Sequence, residues 1–276
     1  MNASIGEHGM YAPSWVMECV YRAMNWIYGC GYVGRRAFGR LQWFERRFLA
    51  SRDDVVDVER YGLRWRLHKF GNVSESRLLR RPDTFESEEI EFVLGLAVDD
   101  FVFIDVGANC GYWSLRVANQ LAGSGLVIAI EPQPAMLERL RYNAKANGIE
   151  FAGVHECVVG EGAGRALLEL DERNLGRSRV SECGSLEVEV KSLLEIADSH
   201  DLGRVDAIKV DVEGYEDRVL GPFLRNADDA LLPRVIVAEC SWSGSWEDDW
   251  LTRAQERRYR EVRRTRNHNV ILVRDG

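Results

Sequence analysis

The sequence predicts an α/β fold, a doubly wound and mostly parallel sheet that follows a helical N-terminal extension. Three observations predict it. Residues 101–106 form a short apolar run that leads through a glycine turn into a helical pattern, and residues 126–132 begin a second such unit. Two later apolar runs, residues 207–210 and 235–238, are each followed directly by an acidic residue. Apolar strands that alternate with helices are typical of sheets buried on both faces.

Composition limits the classes of protein that the chain can represent. The 276 residues are 46% hydrophobic and 29% charged, which predicts a folded and soluble protein. The net charge of −8 argues against a general nucleic-acid-binding surface, because phosphate neutralisation needs clustered cations. We interpret the basic patches at Arg35-Arg36, Arg46-Arg47 and residues 257–266 as solvated faces. The six cysteines have no metal-binding spacing, so we expect reduced and mostly packed thiols and a cytoplasmic protein.

The N-terminal region differs in composition from the rest, and we divide the chain into a helical extension, residues 1–54, and a main domain, residues 55–276. The aromatic-rich residues 11–32 are interrupted by Glu18, Arg22 and Asn25, which argues against a transmembrane helix or a signal peptide. We expect the segment to pack against the main domain or a second subunit, in preference to a membrane surface. The arginines that follow it nevertheless suit anionic lipid, so a peripheral membrane contact stays open.

Residues 55–97 predict a hairpin and a helix ahead of the first core strand. Leu63, Trp65 and Leu67 alternate with charged residues, which indicates a half-exposed hairpin that turns at Tyr61-Gly62. Apolar side chains then recur at helical spacing in residues 90–97, and Ser87 is the candidate N-terminal cap.

The turn after the first core strand predicts a ligand site. Gly107 and Gly111 let the backbone turn tightly and approach a ligand closely. The spacing lacks the three glycines of a dinucleotide-binding turn, and Asp105 would repel a phosphate and attract a cation. A ligand that carries an ammonium group fits better, and the amino-acid end of S-adenosylmethionine is the candidate.

The second core unit strengthens this interpretation. Its strand ends in Glu131, at the position where a carboxylate receives the two hydroxyls of a ribose. Pro134 suits the first turn of the following helix, which we expect to stop at Asn147-Gly148. Either acid alone could merely cap a helix, but the pair at two strand ends favours a cofactor site.

Four strings carry a resemblance to a known family, and they are DVGANCGYWSL, IEPQPAMLERLRYNAKAN, VDAIKVDVEGYEDRVLGPF and VIVAEC. In this order they resemble the FkbM-type family of class I S-adenosylmethionine-dependent methyltransferases, from about residue 59 to the C-terminus. The resemblance implies a Rossmann-like fold and O-methyl transfer to a hydroxyl of a sugar, glycan or natural product. It does not identify the acceptor. Leu194, where relatives have an acid, and Cys110, where they have an apolar residue, depart from the pattern.

The resemblance also implies where the cofactor binds. We expect Asp105 and the turn that follows it to hold the methionine portion, Glu131 the ribose, and the end of the third strand, residues 153–159, the adenine. Glu161 is a candidate for the adenine amino group, and residues 174–178 match a family loop that we place over the site. The cofactor-binding residues are then Asp105, Gly107, Ala108, Asn109, Gly111, Glu131, Cys157, Val158 and Asp211.

The chemistry concentrates after the fourth strand. Asp211 follows it at the carboxyl edge of the sheet, and we assign Asp211 and Glu213 as catalytic because an acid beside a sulfonium can take the proton of an alcohol. Glu216 more simply favours a helix N-terminus. Asp211 and Glu239 could instead hold Mg²⁺, but two carboxylates without a third ligand do not define a metal site, and we assign no metal ligand.

The last part of the chain leaves one alternative open. Trp242, Trp246 and Trp250 recur every four residues, which indicates packing, although their place beyond the catalytic edge also suits sugar stacking. Residues 259–273 predict closing antiparallel strands.

The function predicted from these observations is S-adenosylmethionine-dependent O-methyl transfer to a small-molecule or glycan acceptor. The alternatives are a non-catalytic cofactor-binding or membrane-associated scaffold protein and, less favoured because of the turn spacing, a nicotinamide oxidoreductase. We expect no nucleic-acid partner. A homodimer through the N-terminal helices is a further alternative.

Overall fold

The computed structural model describes residues 6–49, 54–241, 244 and 246–275. Within these ranges the α-helices are α1 Trp15–Gly29, α2 Gly31–Phe44, α3 Val73–Arg80, α4 Ser87–Leu94, α5 Tyr112–Leu121, α6 Pro134–Asn147, α7 Leu193–Ser199, α8 Glu216–Asn226 and α9 Trp250–Glu256. The strands are β1 Val55–Arg60, β2 Leu63–His68, β3 Val102–Val106, β4 Leu126–Ile130, β5 Gly153–His155, β6 Val158–Val159, β7 Gly164–Glu169, β8 Arg179–Val180, β9 Leu186–Lys191, β10 Ala207–Val210, β11 Val235–Glu239, β12 Tyr259–Arg264 and β13 Asn269–Arg274.

A seven-stranded sheet forms the centre of the fold, in the order β5-β4-β3-β10-β11-β13-β12. Its first five strands are parallel, and β13 and β12 close it in antiparallel pairing. All residues of β3 and β10 are buried, because helices cover both faces. The sheet confirms the predicted doubly wound, Rossmann-like class.

The strand order reverses between β3 and β10. From β3 the chain runs outward through β4 to β5, and it returns to the other side of β3 with β10 and β11. Ligands of open α/β sheets bind in the crevice at such a switch point, outside the carboxyl ends of the strands. The residues that follow β3, β4 and β10 therefore converge on one place.

Local signals account for the helices beside this crevice. The helix α6 begins at Pro134, and the Gln133 side chain accepts hydrogen bonds from the backbone N–H groups of Ala135 and Met136. It ends before Gly148, whose φ of 64° suits a left-handed C-terminal cap. The prediction for Ser87 is wrong in detail, because Glu86 precedes α4 with a φ of 47° and Ser87 is already the first helical residue.

The expected third strand, residues 153–159, is broken into two. The segment β5 pairs with β4, but the chain leaves the central sheet at the exposed Glu156, and β6 pairs with β9 in a separate four-stranded sheet of order β6-β9-β7-β8. Cys157 and Val159 pack into the core beside β10, whereas Val158 packs with the apolar face of the small sheet. The alternation of apolar and charged residues in 186–191 is the sequence signal for β9.

The N-terminal extension packs against the rest of the chain along one side. Tyr21 and Met24 of α1 are buried in the same apolar cluster as β1, β2 and α3. The helices α1 and α2 are in close contact at Gly34. A Cβ at this position would lie 1.9 Å from the carbonyl oxygen of Ile27, so only glycine fits there. Glu45, just after α2, is fully buried and paired with Arg80 at 2.7 Å. No helix in the described parts of the chain is long and apolar enough to span a bilayer.

The six cysteines are free thiols, but only half are packed as predicted. Cys110, Cys157 and Cys240 are buried, and the remaining three, Cys19, Cys30 and Cys183, are exposed.

Candidate functional site

A cavity of about 690 Å³ lies at the switch point of the central sheet, at the carboxyl ends of β3, β4 and β10. Seven of the predicted site residues line it, and they are Gly107, Asn109, Glu131, Cys157, Val158, Asp211 and Glu213. Three predicted cofactor-binding residues, Asp105, Ala108 and Gly111, lie behind this wall.

Gly107 brings the ends of β3 and β10 into close contact. Its φ is +77°, and a Cβ at this position would lie 2.0 Å from the carbonyl oxygen of Asp211. Its own carbonyl oxygen accepts a hydrogen bond of 2.9 Å from the Lys209 ammonium, and its N–H donates to Ile130. Only glycine fits here, so the turn and the position of Asp211 depend on each other.

Asp105 lies beneath the cavity. The residue is fully buried, and its Oδ2 accepts hydrogen bonds from the backbone N–H of Ser114 at 3.0 Å and from the Ser114 hydroxyl at 2.5 Å. Its Oδ1 lies 3.7 Å from Nζ of Lys209. Burial raises the pKa of Asp105, and the nearby lysine and serine oppose the shift. The carboxylate thus joins α5 to the sheet and supports the turn from below.

Ala108 and Gly111 also belong to the support of the turn. Ala108 is buried in a small cluster with Ala129 and Leu140. A Cβ at Gly111 would lie 2.9 Å from Cδ1 of Leu115 and 3.3 Å from Cγ of Leu140. Both positions let α5 and α6 approach the strand ends closely.

Glu131 presents its carboxylate to the cavity. Its Oε2 accepts the backbone N–H of Asn109 at 2.7 Å, and its Oε1 accepts that of Gln133 at 3.0 Å. Burial raises the pKa of Glu131 to about 7, although these two hydrogen bonds favour the ionised form. Each oxygen retains a second lone pair, so the carboxylate can still receive a pair of hydroxyl groups from a ligand.

Lys209 is the positively charged centre of the site, and the sequence prediction missed it. Its Nζ lies 3.5 Å from Oδ2 of Asp211 in addition to its contacts with Asp105 and Gly107, and its side chain is only 8% exposed. Burial alone would lower the pKa of Lys209, but the surrounding carboxylates outweigh it and hold the pKa above its ordinary value. A charged residue within the short apolar strand β10 was the available signal.

Three acids lie at the same edge, with Asp211 and Glu213 just after β10 and Glu239 as the last residue of β11. Glu213 lies in the turn after β10 with a φ of 52°, and burial, together with the charges of Asp211 and Glu239, raises its pKa to about 8. Burial and the charge of Asp211 also raise the pKa of Glu239. An acid whose pKa lies near the working pH is suited to proton transfer.

Glu216 holds the turn in place. It is fully buried at the start of α8, and its Oε1 accepts the backbone N–H groups of Val212 and Gly214, each at 3.2 Å. Burial raises the pKa of Glu216 to about 7. The structural interpretation made for Glu216 from the sequence therefore fits these contacts, which fix the turn that carries Glu213.

The Asp211 and Glu239 pair does not form a recognisable metal centre. Among the described residues, no three or more His, Cys, Asp and Glu side chains are grouped so that they could hold an ion. The Lys209 ammonium lies beside Asp211, and the Ser241 hydroxyl donates a hydrogen bond of 2.6 Å to Oε1 of Glu239. These two groups already supply part of the charge and hydrogen bonding that a cation would provide.

A second, polar cavity of about 940 Å³ adjoins the first. Arg179 and Glu213 line both cavities, and residues 169–173 and Arg177 complete the outer one. Arg179 is paired with Glu169 at 3.3 Å. Glu213 therefore lies in a wall that the two cavities share.

Residues 174–178 lie over the first cavity, where the sequence placed them. Leu175, Gly176 and Ser178 line it. The backbone N–H of Leu175 donates to the carbonyl oxygen of Gly71, and the N–H of Val73 donates to the side chain of Asn174. These bonds attach the loop to the start of α3, so Ser74 also reaches the cavity, which the sequence did not indicate.

Glu161, Trp246 and Trp250 were further candidates from the sequence, and none of the three lines the cavity. Glu161 has a side chain that is 67% exposed and lies 3.6 Å from Arg225, and it does not line the cavity. Trp250 is fully buried in the core and Trp246 packs against it, with ring centroids 5.6 Å apart. Packing therefore explains these two tryptophans, and Trp242 lies outside the described residues.

The sequence of this chain is similar to those of known proteins. A methyltransferase FkbM domain profile matches residues 105–264. Methyltransferase 1 of Beauveria bassiana is 27% identical over 174 residues, which cover 54% of this chain and 68% of that protein. Hexuronic acid methyltransferase AglP of Haloferax volcanii is 27% identical over 170 residues, which cover 60% of this chain and 66% of that protein.

Among solved structures, TYW2 of M. jannaschii, crystallised in complex with AdoMet, is similar with a TM-score of 0.41 and 14% sequence identity, over 81% of this chain and 85% of that one. The family match covers more than half of the chain, from Asp105 in β3 to Arg264 in β12, and includes the whole cavity edge of the central sheet. The chain belongs to the FkbM methyltransferase family and is an S-adenosylmethionine-dependent methyltransferase.

Proposed function

We propose that this methyltransferase transfers its methyl group to a hydroxyl oxygen of a small-molecule or glycan acceptor. The observation that carries the proposal is the position of Glu213, in the wall between the switch-point cavity and the outer polar cavity. Its raised pKa, about 8, makes it a carboxyl group able to exchange a proton near neutral pH.

The switch-point cavity fits the methyl donor. Glu131 has acceptor capacity left for the two ribose hydroxyls, and Cys157, Val158 and Leu168 offer an apolar surface for a base. The turn at Gly107 and Asn109 also lines the cavity, with Asn109 directly beside Glu131. S-adenosylmethionine supplies, when bound, a methyl group activated by a positively charged sulfur.

A pyrophosphate fits this turn less well. The backbone N–H of Asn109, a donor that a phosphate at the turn would need, is already bonded to Oε2 of Glu131 at 2.7 Å. The carboxylate would also repel a phosphate at that point. This contact supports a nucleoside with a cationic tail over a nicotinamide dinucleotide.

The acceptor enters through the outer cavity in this proposal. That cavity is lined by charged side chains, which suits a hydroxylated and polar molecule better than an apolar one. Arg173, Arg177 and Arg179 could orient an acceptor that carries an acidic group. The similarity to a hexuronic acid methyltransferase is consistent with such an acceptor.

Glu213 acts as the general base in this proposal. The carboxylate form accepts the acceptor's hydroxyl proton as the oxygen is methylated, and solvent reached through the outer cavity removes that proton afterwards. Lys209 holds Asp211 at 3.5 Å, and Glu216 fixes the turn, so both act as positioning residues. Positioning in this way accounts for much of the rate of a displacement reaction.

A labelled-methyl assay tests this function. The protein is incubated with S-adenosylmethionine that carries an isotopically labelled methyl group and with a panel of neutral and acidic sugars, and products are identified by mass spectrometry. We expect a methyl ether, and Glu213→Gln should lower kcat by about 10²–10⁴-fold with little change in cofactor affinity.

Glu187→Gln is the control, because Glu187 is exposed on the small sheet and pairs with Arg165. It should leave kcat unchanged. Methylation at nitrogen or carbon, or full activity of Glu213→Gln, would contradict the proposal.

A further inference from the structure

The α1–α2 hairpin carries a surface of exposed aromatic and basic side chains. We call it the outer face and define it by Trp15, Cys19, Arg22 and Trp26 of α1 and by Tyr32, Arg36, Arg40 and Trp43 of α2. The four aromatic side chains are largely open to solvent, at 78% for Trp15, 73% for Trp26, 66% for Tyr32 and 63% for Trp43.

The outer face follows from helical geometry. Trp15 and Trp26 are eleven residues apart, as are Tyr32 and Trp43, and eleven residues make about three turns, so each pair lies on one side of its helix, about 16 Å apart. In α1 this is the side opposite Tyr21 and Met24, which are buried in the core. Each helix therefore has one side for the protein core and another side with an aromatic residue at either end and arginine between them.

The charge of the hairpin is opposite to that of the whole chain. Residues 14–47 contain six arginines, two glutamates and no lysine or aspartate, a net charge of +4, whereas the chain as a whole has −8. Both glutamates are engaged, Glu18 with Arg60 and Arg22 at 3.2 Å and Glu45 with the buried Arg80. Their charge is therefore compensated locally, and the arginines dominate the exposed part of the hairpin.

We propose that the outer face binds the surface of an anionic lipid membrane. Tryptophan and tyrosine rings have an apolar body and a polar edge, and they settle at the level of the lipid headgroups. Arginine extends its stem along apolar surface while its guanidinium contacts phosphate. Each helix of the hairpin exposes both residue types along one side, which suits a position in the plane of the interface without crossing the bilayer.

A second copy of the chain suits this face less well. In a two-fold symmetric dimer the same surface meets itself, so the net positive charge of the hairpin would lie against the same positive charge in the other copy. The surface of an anionic membrane offers a headgroup layer for the aromatic rings and phosphate groups for the guanidinium groups.

Vesicle co-sedimentation of the full chain tests the inference. Vesicles of phosphatidylcholine alone are compared with an equimolar mixture of phosphatidylcholine and phosphatidylglycerol. We expect binding to the mixed vesicles only, weaker as salt rises, because the Debye length falls to about 3 Å at 1 M ionic strength. The double variant Arg36→Glu/Arg40→Glu should lower the vesicle affinity at least about tenfold, and Trp15→Ser/Trp26→Ser should lower it as well.

The control carries the same charge change elsewhere. Arg165→Glu/Arg260→Glu alters two exposed arginines of β7 and β12, outside the hairpin, and should bind the mixed vesicles like the unaltered chain. Circular dichroism and binding of S-adenosylhomocysteine establish that each variant is folded. The inference is overturned by equal binding to both vesicle types, by no binding to either, or by a dimer in light scattering that the tryptophan variants dissociate.

Discussion

At the scale of single residues, two acids with similar places in the sequence have different surroundings. Asp105 is the penultimate residue of β3, so its side chain is enclosed within the sheet, where Ser114 and Lys209 contact it. Glu131 comes one residue after β4 ends, and its carboxylate reaches the cavity. We therefore propose a ligand contact for Glu131 and a supporting role for Asp105, a difference that strand-end position alone could not predict.

The pKa of Glu213 gives a pH dependence that can be measured. Burial, and after it the charges of Asp211 and Glu239, raises this pKa to about 8, so the free enzyme has most of its Glu213 protonated at pH 7. As a base it must be ionised, so kcat/KM should rise about tenfold per pH unit below pH 8 and level off above it. Stopped assays over this range with the acceptor found by mass spectrometry give the profile.

A substitution beside Glu213 tests whether the inflection in kcat/KM belongs to Glu213 or to another ionisable group. Asp211→Asn removes one negative charge beside Glu213, so the inflection in kcat/KM should move to lower pH even if the maximal rate also falls. An inflection that stays in place in Asp211→Asn, or that persists in Glu213→Gln, would assign the titration to another group.

At the scale of elements, the strength of the sequence signal decided what could be predicted. The long periodic segments, β3 with α5 and β4 with α6, are observed where their apolar patterns place them. The break between β5 and β6 could not be predicted, because a continuous apolar run does not say which sheet each residue joins. The four-stranded sheet was missed although residues 186–191 alternate clearly, since its partners β7 and β8 are short and mostly exposed.

The contact between β3 and β10 is the element that most constrains the site. Gly107→Ala would place a Cβ 2.0 Å from the carbonyl oxygen of Asp211, so we expect loss of both stability and cofactor binding. Gly123→Ala is the matched control, because Gly123 also has a positive φ, +89°, but no atom lies within 4 Å of the place that its Cβ would take.

Thermal unfolding of the two variants gives the comparison. A left-handed alanine costs about 1–2 kcal/mol, so Gly123→Ala should lower Tm by several degrees. Gly107→Ala should lower it at least about twice as far, because the backbone overlap adds to this strain. Equal effects of the two substitutions would show that the contact between the strand ends is not tight.

At the scale of the whole molecule, the topology explains why distant motifs meet. Residues about a hundred positions apart, Gly107 and Asp211, come into contact because the chain winds outward through β4 and β5 before β10 returns beside β3. The order of motifs was sufficient to predict this edge. The position of Lys209 was not predictable in the same way, because its role depends on carboxylates supplied by three other segments.

The distribution of charge is also a property of the whole chain. The net charge of −8 disfavours binding of anionic partners to the chain as a whole, whereas the N-terminal hairpin is locally positive. The aromatic density of residues 11–32 was visible in the sequence, but its division into a buried and an exposed side depended on how α1 packs against β1, β2 and α3.

Calorimetric titration with S-adenosylhomocysteine tests the central claim most directly, because it needs no knowledge of the acceptor. The account predicts binding by the unaltered chain and about tenfold or more weaker binding by Glu131→Ala, which loses charge-assisted hydrogen bonds to the ribose. Glu131→Gln keeps one acceptor oxygen for the backbone N–H groups of the turn. Weaker binding by this variant as well would therefore not be explained by collapse of the turn alone. Glu150→Ala, at an exposed position beyond α6, should bind normally. Unchanged affinity in both Glu131 variants would contradict the account.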